Sequence, residues 1–192
     1  LTHTSGLADH INDPWYFDKY LPKDCKILTN ERLLGAIARF KVPLLFKPGY
    51  RFRYSNTGYA MLALIVERVS GESFAGYCRS HILEPAGMYQ TYIGGWKYED
   101  GIPCLAYPYR NISTYPATYY QYHDGVVGDK GVYTTAHDLV LFDRALYTNK
   151  ILKQETLEEA FRVQKGRNKQ NVYYGYGWRM RYSQDSSRIV YH

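Results

Sequence analysis

The 192-residue chain is poor in cysteine, holding only Cys25, Cys78 and Cys104. They lie far apart and form no C-x-x-C pair, so neither a zinc ribbon nor a thioredoxin-type redox site is supported. An odd count leaves at least one thiol free if the chain stands alone, and cysteine usage does not fix the compartment. H-E-x-x-H and G-x-S-x-G are both absent, which removes the zincin helix and the nucleophile elbow. No apolar run nears the roughly 20 residues that a spanning helix needs. The longest, residues 60–66, ends in Glu67 and Arg68. Internal repeats and low-complexity tracts are also missing. The first residues carry no initiator methionine, basic n-region or apolar h-region, so nothing there reads as a targeting signal. His3, Asp9, His10 and Asp13 fall close together. Their spacing matches no ligand motif, and no metal or other cofactor is expected.

What is present reads as one soluble globular domain over residues 1–192. Hydrophobic residues make up 45% and charged residues 22%, which argues against disorder. The outlier is tyrosine, with 22 residues. Tyrosine suits groove walls and half-buried strand faces alike, so an aromatic-lined cleft and a Tyr-rich surface both stay open. The net charge is +6, but Lys and Arg are scattered. The densest cluster, Lys165, Arg167 and Lys169, sits among polar residues. No nucleic-acid partner is expected from it.

Up to about residue 29 the chain reads as loop. Thr29 or Asn30 can cap a helix over 31–40, with Leu33, Leu34 and Ile37 on one face. A turn at 47–49 precedes the clearest helix, 58–69, which Gly71 stops and which should form the buried centre. A helix over 73–82 closes at 84–87. Residues 89–133 read as irregular loop with short strands. Helices follow over 136–147, capped by Thr135, and over 154–162. Alternation from Tyr174 to Tyr182 predicts a strand with one aromatic face, then a turn and a return strand over 188–192. The fold class is α+β: a mainly helical region plus part of an antiparallel sheet.

The chemistry-bearing candidate is Tyr54-Ser55-Asn56, just ahead of the central helix. A Tyr at such a junction can face a cleft and shuttle a proton if nearby cations lower its pKa. Asn56 offers both a donor and an acceptor for a substrate amide or a lysine. Ser55 and Thr57 are natural helix caps. On its own, Y-x-N reads as a plain helix start with Asn56 as the N-cap. Other candidates are weaker. Ser5 reads as a turn residue, Asp129 and Lys130 as a surface ion pair, and Asn111-Ile112-Ser113 as a glycosylation sequon.

Four longer blocks add specificity. They are Leu1-Thr2-His3-Thr4-Ser5-Gly6-Leu7, Pro48-Gly49-Tyr50-Arg51-Phe52-Arg53-Tyr54-Ser55-Asn56-Thr57-Gly58-Tyr59, Gly128-Asp129-Lys130-Gly131-Val132-Tyr133-Thr134-Thr135-Ala136-His137-Asp138-Leu139 and Tyr174-Gly175-Tyr176-Gly177-Trp178. In this order they resemble blocks of the β-lactamase and penicillin-binding-protein superfamily of serine hydrolases, in its class C β-lactamase, D-Ala-D-Ala peptidase and esterase branch. The resemblance implies the β-lactamase/transpeptidase-like fold, incomplete at both ends, and acyl transfer through a serine. Its substrate would be a small molecule or peptide held in a cleft. Tyr54 would pass the proton to the leaving group, and Asn56 would orient a lysine and the substrate amide. His192 would stand for the His of an H-x-G strand beside the oxyanion hole. An extracytoplasmic or periplasmic location is implied by the family alone.

The sequence departs from the family pattern in two places: the Gly of H-x-G is not seen after His192, and the nucleophile motif is missing. No serine in it is followed three residues later by lysine, so the family's S-x-x-K nucleophile is absent. In the family that motif precedes the H-T-S-G-L block and would fall upstream of Leu1. The chain is therefore expected to be an internal piece without activity of its own. A non-catalytic peptide- or peptidoglycan-binding module and a basic, aromatic nucleic-acid binder are the alternatives. Oligomeric state is open.

Overall fold

The computed structural model describes residues 1–24, 26–94, 104–106 and 122–192. The sequon at Asn111 lies outside them. The first stretch is not all loop: α1 (Pro14–Phe17) forms one turn, with Pro at its first position and Phe17 buried. In α2 (Asn30–Phe40) Thr29 is the cap, and its side chain accepts from the Arg32 N–H. Asn30 is instead a buried clamp. Its Nδ2 donates to the Ala60 and Val127 carbonyls, both at 2.9 Å, and its Oδ1 accepts from the Val127 N–H at 2.9 Å.

The central helix α3 (Asn56–Ser70) begins two residues earlier than expected, because Ser55 caps it by accepting from the Gly58 N–H. Gly71 ends it in a left-handed conformation, φ 76°. Its burial is one-sided. Thr57, Ala60, Ala63 and Leu64 are buried, whereas Ile65 and Val69 are 54% and 84% exposed. The helix is thus a wall more than a centre. From Ser73 the chain runs as α4 (Phe74–Cys78), a π-helical turn (Arg79–Leu83) and α5 (Glu84–Ala86), further than the expected 73–82. Helices α6 (Ala136–Leu146), capped by Thr135, and α7 (Gln154–Ala160) follow.

Three two-stranded antiparallel ladders complete the described structure. These are β1 (Tyr92–Ile93) with β2 (Val132–Tyr133), β3 (Gln164–Lys165) with β4 (Asn171–Val172), and β5 (Arg179–Tyr182) with β6 (Arg188–Tyr191). The expected strand over 174–182 is shorter. Its first half folds into a tight turn, in which Gly175 N–H donates to the Trp178 carbonyl and Gly177 has φ 88°. The aromatic face is broken accordingly: Tyr174 is buried, while Tyr176 and Tyr182 are exposed.

Apolar packing forms three clusters. Ala8, Phe17, Leu21, Leu28, Leu33, Ala60 and Val126 tie the N-terminal segment and α2 to α3. Leu83, Ala86, Met88 and Ala145 join α5 to α6. Leu146, Leu157, Ala160 and Phe161 seat the terminal hairpin through Trp178 and Val190. Gly128 packs directly on α3. Its φ is 94°, and an added Cβ would sit 2.6 Å from that of Ala63. This close approach brings the loop of residues 128–131 over the start of α3, where the site lies.

Candidate active site

A cavity of about 580 Å3 opens between the first turns of α3, the loop at Gly128 and the terminal hairpin. Tyr54, Asn56 and His192 all line it, together with apolar walls from Leu62, Val66 and Trp178. The three residues singled out in the sequence are therefore brought to one place.

Tyr54 packs against the His3 ring, with centroids 4.1 Å apart. Among the described residues its hydroxyl makes no hydrogen bond. The Arg179 guanidinium lies 5.6 Å from its ring centroid and favours the phenolate. Burial works the other way and is the larger influence, so the Tyr54 pKa is raised above its ordinary value. The expectation of a lowered pKa is not met by the cations present. His3 sits in an aromatic cage of Phe52, Tyr54, Tyr59 and Tyr174. Its Nδ1 accepts the Ser55 N–H at 3.0 Å. Burial lowers its pKa to about 4.

Asn56 is fixed by Asp9. The Asp9 carboxylate accepts from Asn56 Nδ2 at 2.8 Å and from the Asn56 N–H at 3.2 Å. It also accepts from Asn12 Nδ2 at 2.8 Å and the Ile11 N–H at 2.9 Å. Burial pushes the Asp9 carboxyl up, but these donors outweigh it and its pKa is lowered. Asp9 is thus held as an anion at neutral pH at the head of α3, where the helix dipole also favours negative charge. With Nδ2 committed to Asp9, the carbonyl side of the Asn56 amide is what remains for a ligand. Asp13 accepts from the Asp9 N–H and pairs with Arg53, which closes the network.

Asp129 was missed as a buried group. The expected surface pair with Lys130 exists, at 3.3 Å, but the Asp129 side chain is fully buried and lies 3.7 Å from His10 Nε2. Burial outweighs Lys130 and raises its pKa. His10 accepts or donates at Nδ1 with Thr57 Oγ1, 3.1 Å away, and burial drives its pKa to about 3. His3, Asp9, His10 and Asp13 are all held by protein partners in this way. In the sequence Asp9 stood out only for its nearness to His3, His10 and Asp13, which gave no hint of its bond to Asn56.

His192 sits at the end of β6. Its Nδ1 donates to the Gly177 carbonyl at 2.6 Å, with the Tyr174 hydroxyl 3.3 Å away. Among the described residues this leaves Nε2 without a hydrogen-bond partner. The arrangement supplies a half-buried phenol, a fixed amide and an imidazole. Among the described residues it pairs no serine with a lysine.

Comparison with known proteins fits this geometry. The beta-lactamase family model matches residues 1–192, and the chain belongs to that family. It is 33% identical over 203 residues to penicillin-binding protein 4* of Bacillus subtilis, an alignment covering 100% of this chain and 44% of the relative. Among solved structures, a penicillin-binding protein from Bacillus halodurans superposes with a TM-score of 0.73 at 29% identity, over 97% of this chain and 56% of that one. An octameric penicillin-binding protein homologue from Pyrococcus abyssi superposes at 0.74 with 26% identity, over 100% of this chain and 44% of that one. The chain thus spans about half the length of these relatives or less. Among the described residues no helix is long and apolar enough to cross a membrane.

Proposed function

We propose that residues 1–192 form one unit, the Tyr–Ser–Asn part of the cleft of an extracytoplasmic serine hydrolase. Its substrate would be an amide or ester: a D-Ala-D-Ala-type peptide, a β-lactam or a small ester. The observation that carries this is the convergence of Tyr54, Asn56 and His192 on one cavity of about 580 Å3 with mainly apolar walls.

The nucleophilic serine and its lysine come, on this reading, from polypeptide outside these 192 residues. The lysine amine takes the serine proton as Oγ attacks the carbonyl carbon. The C–N or C–O bond to the leaving group then breaks, and Tyr54 relays the proton to it. Water hydrolyses the acyl-enzyme and restores the serine. The raised pKa of Tyr54 suits it to carry its proton at neutral pH and give it up only beside the incoming ammonium. Asn56, anchored by Asp9, positions the substrate amide. His192 stands on the oxyanion side.

The isolated chain hydrolyses nothing by this route. Incubation with a fluorescent penicillin is expected to leave no covalently labelled band, and labelling at a stoichiometric level would defeat the proposal. In the enzyme encoded by the whole reading frame, Tyr54→Phe is expected to cut kcat by roughly 10²–10⁴-fold, the usual worth of a positioned proton carrier. An unchanged kcat would remove Tyr54 from the mechanism.

A further inference from the structure

A second concave surface lies along one flank of α2, bordering the core at Leu21 and Ala36. It is a groove of about 730 Å3 between residues 19–24 and that helix. From α2 it is lined by Arg32, Gly35, Ala36 and Arg39, which recur at i, i+3, i+4 and i+7 and so share one face. Two arginines thus flank a floor of two small residues, roughly 10 Å apart along the axis at 1.5 Å per residue. The facing wall adds Lys19 and Lys23, and Asp24 is the single acid in the lining. Among the described residues none of these four cations forms an ion pair.

Two aromatic rings border the same groove. Tyr20 and Phe40 stand with centroids 6.0 Å apart, and Phe40 is 48% exposed. Lys19 lies 4.8 Å from the Tyr20 centroid and Arg39 lies 5.4 Å from that of Phe40.

Gly35 is an independent sign that the floor is kept clear. Glycine inside a helix costs about 1 kcal/mol relative to alanine. Packing does not require it here, since an added Cβ would meet nothing within 4 Å. The helix stays bare where it faces the groove, which permits close approach of a ligand to the backbone.

We propose that this groove binds an anionic saccharide, one that carries carboxylate or phosphate groups about a disaccharide apart. Arginine forks match either anion in a two-point geometry. The ring faces of Tyr20 and Phe40 suit the apolar faces of sugar rings. Asp24 accepts from sugar hydroxyls, donors that the backbone of a DNA strand does not offer, so a saccharide fits better than an oligonucleotide. The site is separate from the Tyr54 cavity and does not rest on the function proposed for it.

The test titrates the 192-residue chain, at low salt, with tetragalacturonate, maltotetraose monophosphate, neutral maltotetraose and an eight-residue oligothymidylate, followed by amide chemical shifts. Saturable shifts centred on residues 19–24 and 32–40 with either anionic sugar are expected, and which of the two binds tighter separates carboxylate from phosphate. The double variant R32Q/R39Q should weaken binding at least tenfold. Gly35→Leu removes no charge and should raise the melting temperature through helix propensity, yet weaken binding at least tenfold by filling the floor. Three results would overturn the proposal: no saturable binding, binding untouched by Gly35→Leu in a folded variant, or an oligonucleotide bound as tightly as the sugars.

Discussion

Asn56 carries two roles that separate by experiment. Its Nδ2 anchors to a buried carboxylate, and the residue lines the cavity. Asn56→Ala removes a hydrogen bond to a charged group, worth about 1.5–3 kcal/mol, so the urea midpoint should fall. Asp9→Ala should cost more, about 3 kcal/mol or above, because it strands the Asn12, Ile11 and Asn56 donors together. If Asp9→Ala proved milder than Asn56→Ala, Asp9 would not be the hub of the network. The motif residues Tyr54 and Asn56 were legible in the sequence because their chain neighbours repeat a known pattern. Asp9 and Asp129 were not. Their roles depend on contacts 47 residues away in the first case and on burial in the second, and neither leaves a local signature.

Helix boundaries were legible to within a couple of residues wherever a cap spoke for them. Thr29, Thr135 and Ser55 each accept from an N–H three residues on, and Gly71 supplies the left-handed stop. Ser55→Ala should therefore cost about 1 kcal/mol, as other N-cap losses do. A stability loss below a few tenths would show that His3, which accepts the Ser55 N–H, fixes the helix start without the hydroxyl. The terminal strand was read too long for a definable reason. Period-two alternation of aromatics with glycine looks the same whether the glycines pack a sheet or bend the chain. Here they bend it. A Cβ on Gly175 would fall 1.8 Å from the Ala160 carbonyl oxygen, so the turn lies directly on the end of α7. Gly175→Ala should destabilise by about 1–3 kcal/mol, the usual range for overpacking. Loss of the Phe161–Trp178 edge contact, 5.6 Å between centroids, should appear as a change in tryptophan fluorescence.

At the scale of the whole molecule, the fold holds a set of histidines neutral against their ordinary tendency to protonate. His3 and His10 are pushed down to about 4 and about 3, and His123 is lowered as well, in each case first by burial. Unfolded, these groups protonate near pH 6.5. Below that pH the unfolded chain binds more protons than the folded one, so stability falls as pH falls. The loss runs from about pH 6.5 down to the folded values, with a ceiling of about 1.4 kcal/mol per pH unit for each fully neutral histidine. Asp9, with its lowered pKa, adds a further loss once the pH drops below the ordinary carboxylate value of 3.8. Asp129 opposes these, since its raised pKa means that the folded state takes up its proton first. Three groups thus pull against one between pH 6.5 and 4, and the urea midpoint should decline steadily over that interval. A midpoint unchanged from pH 7 to pH 4.5 would mean that the buried imidazoles at the head of α3 reach solvent, and that the polar network beside Tyr54 and Asn56 is open to water.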